Sequence, residues 1–329
     1  MNILITGGGG FIGSHLAELL VSKKNIKKVY VFDDFKDGSL KNLKNIKNNK
    51  KLIIKKINIR NYKKLSNIFI NFDAVVHLAA LSDIVPSIEN PVEYINTNFN
   101  GTLNILELMK KNNVKKIIYA ASSSCYGIPK KTPSSETDDI KPMYPYAFSK
   151  NLGEQLIVHW AQVYGMRYIS LRLFNVYGTR SRTTGAYGAA LGVFLKQKIS
   201  KKPFTVVGDG KQKRDFIHEK DVAEAFYKSI LTNNFNKILN VGYGKPSSVN
   251  KMIKILKGEK IFIPKRPGEP QITHANINKT KKILKWKPKI SLEDGLKNVL
   301  VNINYWKNAP LWNKSSIKKA TIKWFKYLK

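Results

Sequence analysis

The sequence contains a single cysteine, few acidic residues and no long apolar run. The lone Cys125 excludes an intramolecular disulfide framework and is typical of a reducing compartment, so we expect a cytoplasmic protein. No stretch approaches the roughly 18 uninterrupted apolar residues of a spanning helix, which predicts no membrane span. The five histidines lack metal-ligand spacing, and we predict no metal site.

Acidic residues are heavily outnumbered: 58 lysines and arginines against 22 aspartates and glutamates give a formal net charge of +36. Such a charge could attract a polyanion such as RNA. Only seven of the basic residues are arginine, and the lysines are scattered among abundant asparagine and isoleucine. That distribution favours a compositional bias, and we expect no specific nucleic-acid partner. A basic surface would still attract an anionic substrate.

Apolar residues make up 43% of the chain, enough for a sizeable core. Apolar strand-like segments alternate with helical segments, and they lie at residues 1–6, 29–32, 52–54, 74–80, 116–120 and 168–173. This alternation predicts an α/β fold with a doubly wound parallel sheet. Ligands of such sheets bind at the carboxyl ends of the strands, and Gly7, Asp33, Ala79, Ser122 and Asn175 fall at those ends.

The first unit of the chain carries the pattern of a dinucleotide site. Gly7, Gly10 and Gly13 stand between the first strand and a helical segment, where a tight turn lets a diphosphate reach backbone amides and a helix N-terminus. The second strand ends in Asp33, which can accept a hydrogen bond from the adenosine ribose. An acid there would repel a 2′-phosphate, so we predict NAD rather than NADP.

Residues 144–150 contain a candidate general base. Pro145 is a favourable first helical residue, and Tyr146 and Lys150, four apart, would share one helix face. A neighbouring ammonium favours the phenolate and so lowers the pKa of a tyrosine from about 10 toward the range of a general base. The pattern recurs at residues 126–130, where a glycine and a proline argue against one continuous helix. An ordinary surface pair at Tyr146 and Lys150 remains the alternative.

Several motifs together resemble one family. They lie at residues 6–13, 77–80, 98–102, 122–127, 146–150, 171–178, 208–218, 266–269 and 284–288. The N-terminal motifs resemble the extended short-chain dehydrogenase/reductases, and the C-terminal ones look like those of nucleotide-sugar epimerases and dehydratases. The resemblance implies an NAD-binding Rossmann domain (residues 1–172), a smaller C-terminal α/β substrate domain (residues 173–329, with about 214–244 returning to the first domain) and a homodimer.

The same resemblance assigns the site residues. Tyr146 would take the proton of the sugar 4-hydroxyl, Lys150 would lower its pKa and bind the nicotinamide ribose, and Ser122 would bind the same hydroxyl. Cofactor contacts are implied for Gly7, Gly10, Phe11, Ile12, Gly13, Asp33, Asn58, Ile59, Leu78, Ala79, Ala80, Asn98, Tyr146 and Lys150. Substrate contacts are implied for Ser123, Ser124, Asn175, Arg214, Arg266 and Thr273. The two arginines would bind the diphosphate, because a guanidinium offers a fixed fork of donors.

We therefore expect an NAD-dependent epimerase that inverts C4 of a UDP-hexose or UDP-N-acetylhexosamine through a 4-keto intermediate. The alternatives are a 4,6-dehydratase, a 4-dehydrogenase, or a catalytically idle nucleotide- or RNA-binding protein. Dehydratases of the family carry Asp and Glu after the catalytic Ser/Thr, where this chain has Ser123 and Ser124. Small Thr273 at the sugar's C2 side would admit an N-acetyl group.

Two features depart from the family's pattern. Asn58 stands where an aspartate is usual near the adenine, which could weaken that contact. The lysine-rich tail after Ala309 is not covered by the resemblance. Ile317, Trp324 and Leu328 fall near one helical face, which favours a helix packed on its own domain and leaves a membrane-surface or partner helix as the alternative.

Overall fold

A computed structural model describes residues 1–181 and 190–328. Its centre is a seven-stranded parallel sheet in the order β11-β6-β5-β4-β1-β2-β3. The strands of the described residues are β1 (Asn2–Thr6), β2 (Lys28–Asp33), β3 (Leu52–Lys56), β4 (Ala74–His77), β5 (Lys116–Ser122), β6 (Arg167–Leu173), β7 (Asn175–Tyr177), β8 (Phe204–Val207), β9 (Lys213–Arg214), β10 (Phe216–His218), β11 (Lys237–Val241), β12 (Ser247–Ser248) and β13 (Lys260–Ile263). The predicted doubly wound parallel sheet is confirmed.

Helices cover both faces of this sheet. Within the same ranges the α-helices are α1 (Phe11–Val21), α2 (Tyr62–Ser66), α3 (Ile84–Glu89), α4 (Pro91–Ile95), α5 (Gly101–Lys111), α6 (Pro145–Tyr164), α7 (Ala190–Ile199), α8 (Glu219–Leu231), α9 (Val249–Leu256), α10 (Asn278–Leu284), α11 (Leu292–Val301), α12 (Lys314–Ala320) and α13 (Ile322–Tyr327). Short 3₁₀-helices lie at Leu40–Ile46, Ser123–Tyr126 and Ile303–Trp306, and a π-helical turn lies at Asn96–Asn100.

The strands are apolar on both faces because both faces are buried. Along β1, Ile3 and Ile5 point into one core layer, together with helix residue Phe226. Leu4, between them, points into the opposite layer with Phe32. Alternate residues of a strand face opposite sides, so a continuous apolar strand supplies two cores at once.

The chain leaves this first unit after β6 and later returns to it. β11 pairs in parallel with β6 at the edge of the sheet, and α8 packs beside α1. These contacts support our proposal that about residues 214–244 belong with the first domain. The carboxyl ends of β5 and β6 face the second layer, and the site lies between the two layers.

The second layer is smaller and has its own core. β8 pairs with β13, β7 with β10 and β9 with β12, which gives three two-stranded sheets. Helices α7, α9 and α11 cover them, and the core contains Phe194, Phe204, Leu296 and Trp306. This layer is the smaller α/β unit that the sequence predicts.

The tail after Ala309 forms two short helices rather than one. Thr321 ends α12, and its hydroxyl donates to the carbonyl of Ile317 (2.8 Å). Ile317 is buried with Val193, Val207 and Ile263 of the second layer, and Trp324 of α13 is 2% exposed. Among residues 1–181 and 190–328, no helix is long and apolar enough to span a membrane.

Candidate active site

The glycine-rich turn after β1 is compact because two glycines allow close backbone contacts. Gly7 has a φ of +73°, and a Cβ there would lie 2.6 Å from the amide nitrogen of Ala79. A Cβ on Gly13 would overlap the carbonyl oxygen of Gly7. α1 therefore starts directly behind the turn, with Gly10 as its N-cap and Phe11 and Ile12 as its first residues. The positive end of α1 and the turn form a cradle that fits a diphosphate.

Asp33 lies at the end of β2 beside this turn and is almost fully buried. Its carboxylate accepts from the amides of Gly9 and Phe35, both at 2.8 Å, and burial raises its pKa despite these bonds. A carboxylate has about four acceptor positions, so capacity remains for a ribose hydroxyl. This geometry fits the adenosine end of NAD.

Asn58 and Ile59 border the same end of the sheet. Asn58 donates to Asp34 (2.7 Å) and accepts from the amide of Arg60 (2.8 Å). Ile59 is 5% exposed and belongs to the core, against the backbone of Gly101. The structure thus gives both residues protein partners, and their contact with an adenine stays a prediction.

The loop after β4 contains Leu78, Ala79 and Ala80, and Asn98 fixes its far end. The Asn98 side chain accepts from the amide of Leu81 (2.8 Å) and donates to its carbonyl (2.9 Å). A third bond joins Asn98 to the hydroxyl of Ser149 on α6 (2.9 Å). Asn98 therefore joins the loop to the helix of the candidate base, and a direct cofactor contact stays untested.

Tyr146 and Lys150 lie on one face of α6, as the spacing predicts. α6 begins at Pro145 and runs 20 residues, so the two side chains are one turn apart. The competing match at residues 126–130 is not helical, because the 3₁₀-helix Ser123–Tyr126 is followed by Gly127 with a φ of +63°. Only the first match has the geometry of a catalytic pair.

The electrostatics of this pair differ from the simple prediction. Burial raises the pKa of Tyr146, the hydrogen bond with Ser122 opposes that rise, and the negative charge of Asp83 adds to it. Burial also lowers the pKa of Lys150 to about 7, although buried Glu154 one turn away raises it. In the protein alone, desolvation therefore opposes both the phenolate and the ammonium, and the expected lowering of the Tyr146 pKa by Lys150 stays a prediction.

The side chain of Lys150 is surrounded by other protein side chains. Its ammonium lies 4.2 Å from the centre of the Tyr119 ring, a cation–π arrangement. Behind it, Glu154 forms a buried ion pair with Arg172 (2.6 Å). His77 is fully buried and bonded through both ring nitrogens, to Thr6 and Thr102, so it is a core residue and not a base.

A cleft of about 500 Å³ lies in front of Tyr146, between the two layers. It brings together residues that are far apart in sequence, namely Phe11, Ser123, Ser124, Tyr146, Asn175, Arg214, Arg266 and Thr273. Ser122 lies directly behind the lining, at the end of β5, and is 8% exposed. All six residues predicted to bind substrate thus line one cavity with the candidate base.

The two arginines of the cleft share one carboxylate. Glu269 lies 2.7 Å from Arg266 and 3.8 Å from Arg214. Burial lowers the pKa of Arg214. Two guanidinium groups held around one anionic side chain form an environment that suits a diphosphate.

The lining also contains Asp83, Tyr144, Glu269 and Trp324, which were not predicted as site residues. Glu269 belongs to the Arg-Pro-Gly-Glu segment at 266–269, so its motif could have identified it. Tyr144 stacks against Tyr146, with ring centres 6.4 Å apart, and burial raises its pKa to about 12. No local pattern marks Asp83 or Trp324, because each reaches the cleft only through the tertiary fold.

Comparison with known proteins agrees with this geometry. Residues 3–242 match the profile of the NAD dependent epimerase/dehydratase family. The chain is 36% identical over 315 residues to a putative UDP-glucose 4-epimerase of Methanocaldococcus jannaschii, covering 93% of this chain and 98% of that protein. It is 36% identical over 312 residues to a UDP-glucuronate 4-epimerase of Thermodesulfobacterium geofontis, covering 90% and 94%.

A solved structure shows the same fold. It is the UDP-glucose 4-epimerase of Thermotoga maritima with UDP-glucose, with a TM-score of 0.85, 31% identity, and coverage of 94% of this chain and 99% of that one. The resemblance seen in the motifs is thus confirmed over most of the chain. The protein belongs to the NAD dependent epimerase/dehydratase family.

Proposed function

We propose that the protein is an NAD-dependent epimerase that inverts C4 of a UDP-linked sugar. The observation that carries this proposal is the cleft itself. Its lining contains Tyr146, which is hydrogen-bonded to Ser122 and suits proton transfer from a hydroxyl, together with Arg214 and Arg266, which suit a diphosphate. The relatives named as UDP-glucose and UDP-glucuronate 4-epimerases support the same reaction class.

The residues of this chain divide the chemistry between them. Tyr146, as the phenolate, takes the proton of the sugar 4-hydroxyl, and Ser122 hydrogen-bonds the same oxygen. Bound NAD supplies the hydride acceptor and, when oxidised, a positive charge that favours the phenolate. Rotation of the 4-keto sugar within the cleft then presents its other face, and Tyr146 returns the proton to the new hydroxyl as C4 takes back the hydride that the cofactor would carry.

Lys150 lies one helical turn from Tyr146 and supports it in this arrangement. A pKa of about 7 leaves it partly protonated at neutral pH, so it can both donate to a ribose hydroxyl and supply charge beside Tyr146. The Gly7–Gly13 turn and Asp33 hold the adenosine diphosphate end in this proposal. These residues and Lys150 would thus hold the cofactor at the carboxyl edge of the sheet, where it would supply the hydride chemistry.

An epimerase fits the cleft better than a dehydratase does. Elimination of water from the sugar needs an acid and a base beyond the oxidising tyrosine. The two positions after Ser122 are Ser123 and Ser124, which line the cleft and do not ionise at neutral pH. We therefore expect no 4-keto-6-deoxy product, and its detection by mass spectrometry would contradict the epimerase assignment.

We also propose a cytoplasmic homodimer. One face of α6 presents Phe148, Leu152 and Val163 at helical spacing, and Phe148 and Val163 are 47% and 55% exposed. Exposed apolar residues in one row are typical of a subunit interface. Light scattering should give twice the monomer mass, and Phe148→Glu should shift the protein toward monomer. A monomeric wild type would contradict this assignment.

The function is tested with purified protein, UDP-glucose and UDP-N-acetylglucosamine, each supplied alone. We expect the C4 epimer of at least one, with Tyr146→Phe lowering kcat at least about 100-fold, since it removes the general base. Tyr164→Phe, a partly exposed tyrosine at the far end of α6, is the matched control and should keep full activity. Normal turnover in Tyr146→Phe would refute the assignment of the base.

A further inference from the structure

The C-terminal tail contributes an aromatic wall to the substrate cleft. Trp324 of α13 lines the cleft although it is only 2% exposed. Its ring centre lies 6.2 Å from that of Tyr144, which in turn stacks on Tyr146. A row of three aromatic rings therefore runs from the tail to the candidate base.

Trp324 also holds the segment that carries one of the arginines. Its indole N–H donates to the carbonyl oxygen of Pro267 (2.8 Å), the residue directly after Arg266. The guanidinium carbon of Arg266 lies 5.1 Å from the centre of the Trp324 ring, within cation–π range. Trp324 thus contacts both the backbone of Pro267 and the side chain of Arg266.

The tail is anchored on both sides of the cleft. On the second layer, Ile317 packs with Val193 and Val207, and the carbonyl of Trp312 accepts from Gln197 (2.8 Å). On the first layer, α13 lies against α3, which follows the loop after β4. α13 therefore contacts Arg266 and Tyr144 through Trp324 and packs on α3 of the first layer.

We propose that Trp324 is a positioning residue that holds Arg266 for the substrate diphosphate, so that the tail is part of the substrate site. This rests on the proposed function, in which Arg266 binds the diphosphate. The guanidinium is held between the Glu269 carboxylate and the indole ring, so little side-chain freedom remains to be lost when a phosphate binds. A tail that served only to cover the core would not need the Trp324 indole beside this arginine.

Binding of UDP and of uridine to the full-length protein separates positioning from general stability. Trp324→Leu keeps an apolar side chain but removes the ring and the N–H, and we expect UDP to bind about tenfold more weakly while uridine, which has no phosphate, binds as before. Trp324→Phe keeps the ring face and should retain most of the UDP affinity. Phe325→Ala, at a 42% exposed neighbour, is the control and should change neither.

A double-mutant cycle tests whether Trp324 acts through Arg266. If it does, Arg266→Ala with Trp324→Leu should bind UDP no more weakly than Arg266→Ala alone. The inference would be overturned if the affinity losses of Arg266→Ala and Trp324→Leu were additive. It would also be overturned if Trp324→Leu lost equal affinity for UDP and uridine, or if Trp324→Leu and Trp324→Phe bound UDP equally. A wild-type protein that does not bind UDP would instead overturn the proposed function, so the two failures are distinguishable.

Discussion

The side chain of Asn98 bonds the backbone of Leu81 twice, once as acceptor and once as donor. Asn98 is 1% exposed and sits in the π-helical turn, so these bonds are made away from water. Asn98→Ala leaves the Leu81 amide and carbonyl without these partners, at a cost of about 1–3 kcal/mol in the free energy of unfolding. We also expect weaker NAD binding, because the loop that carries Leu78–Ala80 loses its anchor.

Calorimetric titration with NAD and urea unfolding check this prediction. Asn100→Ala is the control, because Asn100 is exposed and its side chain bonds only its neighbour Asn96 in the described bonds. It should leave NAD affinity unchanged. Equal NAD affinity in Asn98→Ala and wild type would show that the loop does not depend on Asn98.

Asp83 should set the pH at which the enzyme becomes active. Burial raises the pKa of Tyr146, and the negative charge of Asp83 raises it further because it disfavours the phenolate. The base form is needed for catalysis, so Asp83→Asn should move the rising limb of kcat against pH toward lower pH. Glu89→Gln, at the exposed end of the helix that follows Asp83, should leave the profile in place. A shift toward higher pH would contradict the assigned role.

Thr273 should decide which sugars fit. It lines the cleft, and its hydroxyl donates to Asn175 (2.9 Å); its place beside the sugar's C2 substituent stays a prediction. Thr273→Tyr should exclude an N-acetylhexosamine by overlap, a loss of roughly 1–3 kcal/mol or about tenfold or more in relative kcat/KM. Thr273→Ser should keep both substrates. Equal losses for plain and acetylated sugars in Thr273→Tyr would mean that Thr273 is not the gate.

Glu154→Gln should be strongly destabilising. Glu154 bonds Arg172 and the hydroxyl of Ser170, and both charged side chains are at most 5% exposed. Removing one charge leaves the other buried and unpaired, which costs about 3–5 kcal/mol in urea unfolding. Glu107→Gln, whose partner Lys110 is largely solvated, should cost at most about 1 kcal/mol. Similar losses of unfolding free energy in the two variants would contradict the explanation from burial.

Local patterns predicted much of this molecule because they act over short distances. The turn at Gly7 needs a residue that tolerates positive φ, and a helix beginning at Pro145 places Tyr146 and Lys150 on one face whatever surrounds it. The rest depends on residues brought together by the fold. The direction of the Tyr146 pKa follows from its burial, and the position of Trp324 beside Arg266 follows from packing of the tail. Neither is encoded in a local spacing.

The position of β11 also bears on the order in which the protein can fold during synthesis. β6 is complete at Leu173, but its outer partner, Lys237–Val241, is made only after more than sixty further residues. Until then β6 is an open sheet edge, with unpaired backbone groups that can recruit another chain. A nascent chain stalled before Val241 should therefore be prone to aggregation. The first domain reaches its finished sheet while β12, β13, α9 and α11 of the second layer are still to be made.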